Sequence, residues 1–318
     1  MTIAFWILIF IGSLIVLVKA SDYFTASAEK IGLMAGIPQF IVGATIVSMG
    51  TSLPELISSI IAVANDSSEI VAGNVIGSNI ANILLILGIG AIAAKTLNFR
   101  QHILPIDLPI FMTSAFLLAF ACWDGVFSFG EAVIFLLGLV FFLLYSINAR
   151  PKKKNPNGTD APAPAPPKIS VEAKPFIILV ISGVFVYVGA RYTIESIIEL
   201  SAMLNLGKEV IAVSAVALGT SLPELAVTLS AVKSGNPEMV IGNVLGSNIF
   251  NAYAVMGIPG LFSDLIIPKD LIDFGVPALI AVSILFLVSA VDRRVSKWEG
   301  WLFLLFYAFF IGKMFHAF

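Results

Sequence analysis

The chain has 318 residues, of which 58% are hydrophobic and 12% are charged, and its mean hydropathy is +1.00. A soluble globular domain carries about 25% charged residues, so this composition excludes a soluble domain and places the chain in a lipid bilayer. The net charge of −2 comes with no basic run suited to nucleic acid, and the single cysteine, Cys122, excludes an internal disulfide framework.

Apolar stretches of about 20 residues, separated by polar residues or by glycine and proline, predict ten transmembrane helices. The first stretch has neither the basic start nor the small-residue cleavage pattern of a signal peptide, so we interpret it as a span. The predicted spans are residues 2–19, 38–64, 70–94, 103–121, 126–148, 175–194, 207–232, 238–262, 271–291 and 298–316.

A linker separates the fifth span from the sixth. Residues 150–174 contain three consecutive lysines and a run of alternating alanine and proline, a composition that cannot bury a core. The predicted domains are a first five-helix repeat at 1–149, this linker, and a second five-helix repeat at 175–318. With the N-terminus outside, most lysines and arginines fall on one side, so the positive-inside rule predicts a cytoplasmic linker and two external termini.

The two halves are related in sequence. Residues 45–82 align without a gap onto residues 214–251 at a constant offset of 169, and 20 of the 38 positions are identical. Because each half has five spans, the second half must enter the membrane with opposite polarity. The sequence therefore predicts an all-α membrane protein of ten helices, arranged as two inverted five-helix repeats with broken helices at the midplane, where such folds place their substrates.

Each half carries the motif Gly-Thr-Ser-Leu-Pro-Glu, which ends at Glu55 in the first half and at Glu224 in the second. Both glutamates lie well inside predicted spans, where a charged side chain is expensive and usually faces a cavity, a partner or an ion. The alternative is a protonated glutamate that only joins helices by a hydrogen bond. The occurrence of a glutamate at equivalent positions of both halves favours an ion site over this alternative.

The prolines of the two motifs point to the same chemistry. Pro54 and Pro223 have no N–H for the carbonyl four residues earlier, and a freed carbonyl at membrane depth is tolerated where it lines a cavity. The alternative is a proline kink that serves only helix packing. Carbonyls, hydroxyls and carboxylates form an all-oxygen set that suits Ca²⁺ or Na⁺ and is poor for Zn²⁺ or Cu²⁺. The hydroxyls belong to Thr51, Ser52, Thr220 and Ser221.

A second motif, Gly-Asn-x-x-Gly-Ser-Asn, follows in the next span of each half. Its asparagines and serine, with a further asparagine four residues later, repeat at i, i+4 and i+8 and so share one helix face. Interhelical hydrogen bonding is the alternative to ion binding here, and the small glycines favour close helix packing. The polar stripes are Asn74, Ser78 and Asn82 in the first half and Asn243, Ser247 and Asn251 in the second.

These paired motifs resemble the alpha repeats of the cation/calcium exchanger superfamily, and most closely its prokaryotic Na⁺/Ca²⁺ exchangers. The resemblance covers essentially the whole chain and implies that Glu55 and Glu224 bridge a central Ca²⁺ or Na⁺ position. It also implies that the first and sixth spans slide across the core to expose the site to each side in turn. The further implied ligands are Thr51, Ser52, Ser78, Thr220, Ser221 and Ser247, with Asn82 and Asn251 at the waist and the backbone oxygens of Ser48 and Ala217 at flanking Na⁺ positions.

The expected function is therefore secondary active antiport, in which Na⁺ entry drives Ca²⁺ out across the cell membrane, with no cofactor beyond the transported ions. Exchange of H⁺ or another cation for Ca²⁺ through the same glutamates is the nearest alternative, since protons should compete for two buried carboxylates. Asn251 stands where K⁺-dependent relatives carry Asp, which argues against obligatory K⁺ cotransport. No intramembrane enzyme motif is present, and a passive channel remains a third reading. Membrane lipid is an expected partner, and the sequence predicts no oligomeric state.

Overall fold

The computed structural model describes residues 2–34, 48–98, 104–148, 173–233, 235 and 237–317, and these are mostly helical. The first half has helices at Ile3–Met34, Ser48–Thr51, Leu53–Ala64, Glu69–Ala81, Leu87–Ala94, Leu104–Ala121 and Phe129–Asn148, with a π-helical turn at Asn82–Ile86. The second half has helices at Ala173–Leu204, Lys208–Ile211, Ala217–Thr220, Leu222–Lys233, Pro237–Phe250, Met256–Gly260, Val276–Val291 and Lys297–Met314, with π-helical turns at Ala212–Val216, Asn251–Val255 and Leu271–Gly275.

Six helical segments of the described residues are long and apolar enough to cross a membrane. This confirms a helical, multi-pass membrane protein, whereas the full count of ten spans stays a prediction. The shorter apolar helices are Leu53–Ala64, Leu108–Ala121 and Phe129–Tyr145. The six longer segments are Ile3–Gly32, Glu69–Ala94, Ala173–Leu204, Lys208–Lys233, Met239–Gly260 and Leu271–Val291.

The helices that form the first and sixth predicted spans are longer than the predictions. Ile3–Met34 continues well past residue 19, and Ala173–Leu204 continues past residue 194. The predicted spans end where charged residues interrupt the apolar run. Lysine and glutamate are good helix formers, so they end the hydrophobic signal without ending the helix. Within the first helix, Lys19 and Asp22 form an ion pair one turn apart at 3.7 Å.

The prediction of an all-α chain is wrong in one detail, because the described residues include four short strands. Thr96–Asn98 pairs antiparallel with Arg294–Ser296, and Val126–Phe127 pairs antiparallel with Leu265–Ile266. Each two-stranded ladder joins a loop of the first half to a loop of the second half. Strands of two or three residues are too short for a period-two pattern, which explains why the sequence did not indicate them.

The two long helices pack against each other at a glycine. A Cβ atom on Gly189 would lie 2.7 Å from the backbone nitrogen of Leu17, so only glycine allows this approach. The hydroxyls of Ser13 and Thr193 share a hydrogen bond of 3.0 Å across the same interface. The first and sixth helices therefore form a closely packed pair.

A second close contact joins the polar stripe of the first half to the second half. A Cβ atom on Gly73 would lie 2.8 Å from the carbonyl oxygen of Glu209, and Gly77 faces the backbone of Val213 as closely. Close packing, as predicted, is the role of these two glycines. At Gly242, the counterpart of Gly73, a Cβ atom would have no neighbour within 4 Å among the described residues. Residue 40, which corresponds to Glu209 by the repeat offset, lies outside those residues, so close packing at Gly242 stays a prediction.

Candidate ion site

Both Gly-Thr-Ser-Leu-Pro-Glu motifs break their helices at the serine. Ser52 separates Ser48–Thr51 from Leu53–Ala64, and its φ and ψ of −88° and 13° lie outside the helical region. Ser221 makes the corresponding break, with −82° and 8°. Each proline is the second residue of the following helix, where its missing N–H costs nothing. Each glutamate thus falls in the first turn of a helix, where the helix dipole favours negative charge.

The two carboxylates are held by serines from the opposite half. Ser52 Oγ donates a hydrogen bond to Glu224 Oε1 at 3.0 Å, and Ser221 Oγ donates one to Glu55 Oε1 at 3.3 Å. Ser247 Oγ adds a third at 3.4 Å to Glu224. This reciprocal arrangement brings the two motifs into a single site.

No basic side chain of the described residues neutralises the two carboxylates. Glu55 is 0% exposed and Glu224 is 1% exposed. The ion pairs formed within the described residues involve other carboxylates. A buried carboxylate without a compensating charge is strongly unfavourable, and here two of them interact with each other. The site therefore has the charge to bind a cation or protons.

Several oxygens at the site have no hydrogen-bond partner within the described part of the chain. Native proteins pair nearly all buried polar atoms, and each unpaired one costs about 1–3 kcal/mol, so such a cluster calls for a ligand. Carboxylate, hydroxyl and amide oxygens are the ligands that Ca²⁺ prefers. The unpaired oxygens are Glu55 Oε2, Glu224 Oε2, Ser78 Oγ, Asn82 Oδ1 and Asn251 Oδ1.

A pair of asparagines holds the glutamate backbones in place. Asn74 Nδ2 lies 3.3 Å from the carbonyl oxygen of Glu55 and 3.2 Å from Ser59 Oγ. Its counterpart Asn243 contacts the carbonyl of Glu224 at 3.0 Å and Thr228 Oγ1 at 3.3 Å. Ser59 and Thr228 were missed by the sequence analysis. The signal was available, because both carry hydroxyls at equivalent positions of the aligned halves.

The remaining asparagines of the stripes sit at wide helical turns. The π-helical turns begin at Asn82 and at Asn251, which are separated by the repeat offset. Such turns are frequent at functional sites, and no sequence pattern predicted them here. Between the stripes, Asn79 Nδ2 contacts the carbonyl oxygen of Asn248 at 3.3 Å and joins the halves directly.

Most of the predicted side chains come together in this buried region. The Ala217 carbonyl accepts a hydrogen bond from the Ser221 N–H at 3.2 Å, so one of its two lone pairs is used. Only the backbone of Ser48 lies within the described residues, at the start of its helix. Thr51 and Thr220 lie beside the carboxylates of Glu224 and Glu55, respectively. The buried predicted residues are Thr51, Ser52, Glu55, Ser78, Asn82, Thr220, Ser221, Glu224, Ser247 and Asn251.

The first long helix also covers both motifs. A Cβ atom added to Gly50 would overlap the Thr25 side chain, and one added to Gly219 would overlap the tip of the Leu14 side chain. The hydroxyls of Ser21 and Thr25, one turn apart, are buried without a hydrogen-bond partner in the described chain. The helix face toward the site is thus apolar near Gly219 and polar near Gly50.

Comparison with known proteins agrees with this geometry. The family model described as sodium/calcium exchanger protein matches residues 5–148 and 174–315. The sodium/calcium exchanger MaX1 of Methanosarcina acetivorans is 34% identical, with 97% of this chain and 98% of MaX1 covered. The inner membrane protein YrbG of Escherichia coli is 30% identical, with 92% of this chain and 90% of YrbG covered.

A solved structure is similar over nearly the whole chain. It is the sodium-calcium exchanger NCX_Mj soaked with 2.5 mM Na⁺ and 0.1 mM Ca²⁺, which is 30% identical in sequence. The match has a TM-score of 0.67 and covers 97% of this chain and 98% of NCX_Mj. These similarities confirm the resemblance that the two motifs indicated, and the chain belongs to the sodium/calcium exchanger protein family.

Proposed function

We propose that the chain is a secondary active antiporter that exchanges Na⁺ for Ca²⁺ across the cell membrane by alternating access, with Na⁺ entry driving Ca²⁺ extrusion. One observation carries this proposal: Glu55 and Glu224 are fully buried, lack a basic partner in the described chain and are bound by serines of opposite halves. A buried site with two negative charges requires bound cations to balance them. Ca²⁺ and Na⁺ compete for this site, and their competition couples the two fluxes across the membrane.

The proposed ligands are the oxygens that converge on the two carboxylates. Glu55 and Glu224 bridge the central cation, and Asn82 and Asn251 close the waist of the site through their unpaired amide oxygens. The backbone oxygens of Ser48 and Ala217 serve the flanking Na⁺ positions. The hydroxyl ligands are Thr51, Ser52, Ser78, Thr220, Ser221 and Ser247.

The proposed topology is ten transmembrane helices in two inverted repeats, 1–149 and 175–318. Both ladders support it, because each joins two loops that a ten-span path places on the same side of the membrane. The ion pair between Lys208 and Glu69 at 2.8 Å also joins two helix ends that this path places on the same side of the membrane. A cytoplasmic linker at 150–174 and external termini then follow from the positive-inside rule. Nearly all of this linker lies outside the described residues.

The proposed moving element is the pair of long helices, Ile3–Met34 and Ala173–Leu204. They pack closely on each other through Leu17 and Gly189, while the first of them also covers both motifs through Thr25 and Leu14. A rigid pair lying over a fixed site suits alternating access, in which one bundle moves against another. The names of the relatives agree with this function, since MaX1 and NCX_Mj are both called sodium/calcium exchangers.

Reconstitution into liposomes tests the driving ion. Vesicles loaded with Na⁺ and diluted into Na⁺-free medium at constant pH are expected to accumulate ⁴⁵Ca²⁺, and vesicles with equal Na⁺ on both sides are not. A pH gradient imposed without Na⁺ is the matched comparison. Uptake driven by the pH gradient alone would instead identify H⁺/Ca²⁺ exchange. Saturable uptake that depends on the counter-ion also separates an antiporter from a channel.

A further inference from the structure

One of the two strand ladders is flanked by basic side chains. The N–H of Lys297 donates to the carbonyl oxygen of Lys95 at 2.9 Å, and Asn98 pairs with Arg294 in the ladder. Lys95, Arg293, Arg294 and Lys297, here called the basic cluster, are all exposed. None of the four pairs with a carboxylate of the described residues.

The acidic residues nearby do not cancel this charge. Glu299 accepts hydrogen bonds from the backbone and side chain of Ser296 at 2.7 Å, so its carboxylate is used to cap the helix. Asp292 is the other acidic residue of the segment. Among the side chains that the structure describes here, four cations against these two anions leave a net positive charge at this ladder.

The second ladder, formed by Val126–Phe127 and Leu265–Ile266, lacks the basic cluster. Its helix has the same cap, in which Glu131 binds Ser128, and this cap fixes the correspondence between the two segments. At the positions of the second-half cations it has Gly125, Val126 and Phe129, and Lys95 corresponds to Asp264 by the repeat offset. The repeated fold therefore needs no cation there. The proposed topology places the basic cluster on the cytoplasmic side, where basic residues are in excess and anionic headgroups are available to bind them.

An apolar groove of about 590 Å³ begins beside the basic cluster. It lies on the Lys297–Met314 helix, whose other face packs through Gly300 against Gly88. The Lys297 Nζ atom lies 5.1 Å from the ring centroid of Trp298, at the end of the groove. The exposed groove residues are Trp298 at 69%, Trp301 at 56%, Leu302 at 62% and Leu305 at 68%.

We propose that the basic cluster and this groove form a binding site for one anionic phospholipid of the surrounding bilayer. The phosphate of the headgroup would bind Arg294 and Lys297, and an acyl chain would lie along Trp301 and Leu305. Charge complementarity selects this occupant, because basic residues at the end of a transmembrane helix attract anionic headgroups whereas tryptophan and leucine match the acyl region. The site is separate from the ion site and needs no assumption about the transported ions.

Tryptophan fluorescence can test this site directly, because the chain has four tryptophans, and two of them line the groove. In a W6F/W123F background, only Trp298 and Trp301 report. Brominated phosphatidylglycerol, mixed into phosphatidylcholine nanodiscs, is expected to quench them at a much lower mole fraction than brominated phosphatidylcholine. The R294Q/K297Q variant should lose about 25-fold in this preference, about fivefold for each cation.

Two further variants control for folding and for total charge. The R294K/K297R variant keeps both charges and should keep the preference. The K269Q/K313Q variant removes two exposed cations elsewhere and should keep it too. Equal quenching by both lipids would mean bulk lipid contact only and would overturn the proposal. Absence of quenching by either lipid, as expected if a second copy covered the groove, would also overturn it.

Discussion

The hydroxyl of Ser52 donates a hydrogen bond of 3.0 Å to the carboxylate of Glu224, which belongs to the other half of the chain. Ser221 and Glu55 form the equivalent bond at 3.3 Å. Each carboxylate is therefore oriented by the motif of the opposite half. The two halves do not form two independent sites, and a change in one motif must alter the carboxylate of the other.

Loss of either serine hydroxyl should weaken Ca²⁺ binding from across the repeat. A hydrogen bond to a charged group contributes about 1.5–3 kcal/mol, so we expect Ser52→Ala and Ser221→Ala each to raise the Ca²⁺ concentration for half-maximal uptake by tenfold or more. The measurement is the Ca²⁺ dependence of Na⁺-driven uptake in vesicles.

Ser283→Ala is the matched control for these variants. Ser283 is equally buried, but within the described part of the chain its hydroxyl bonds only to the carbonyl of Leu279 in its own helix. The control should keep the wild-type Ca²⁺ dependence. An unchanged dependence in both Ser52→Ala and Ser221→Ala would show that the cross-repeat bonds do not organise the site.

Two helical glycines, Gly73 and Gly183, offer a paired test of helix packing. Gly73→Ala places a methyl group against the Glu209 backbone, and overpacking of this kind costs about 1–3 kcal/mol. The comparison is Gly183→Ala, whose added methyl group meets Phe24 at an ordinary contact distance of 3.6 Å and which gains helix propensity of up to about 1 kcal/mol. Thermal unfolding in detergent should therefore show a lower midpoint for the first variant and an equal or higher one for the second. Equal destabilisation by both substitutions would contradict the packing described here.

Acidification should inhibit Ca²⁺ uptake. Both site carboxylates are buried and bear like charge, so a proton that binds either of them removes part of the charge that Ca²⁺ needs. We expect the apparent affinity for Ca²⁺ to fall as the pH falls and to recover on return to alkaline pH. The check is Ca²⁺-dependent uptake measured at several pH values with the same Na⁺ gradient. An affinity independent of pH would mean that the carboxylates do not bind protons in competition with Ca²⁺.

The chemistry of the site was largely predictable because both halves of the sequence carry the same motifs. Glu55 and Glu224 stand out as acidic residues within apolar segments, and their prolines mark helix breaks that the structure places at Ser52 and Ser221. The repeat also foretold that both motifs would meet. The cross-repeat hydrogen bonds were not predictable, since they depend on how the two halves pack together.

Other features required the structure for identifiable physical reasons. The long helix Ile3–Met34 was predicted too short because a hydropathy pattern measures the bilayer, whereas a helix can continue beyond it. The π-helical turns at Asn82 and Asn251 carry no pattern of their own. The close approach of Gly73 to the Glu209 backbone depends on how separate helices pack, which the sequence motif does not specify.

The most direct test of the account is Na⁺-driven ⁴⁵Ca²⁺ uptake by liposomes that contain Glu55→Gln or Glu224→Gln. Glutamine keeps the shape of the side chain and removes its charge, so each variant should lose exchange while remaining folded. Asp292→Asn, which removes an exposed carboxylate, should transport like the wild-type protein. If both glutamine variants retained wild-type uptake, the two glutamates would not form the exchange site.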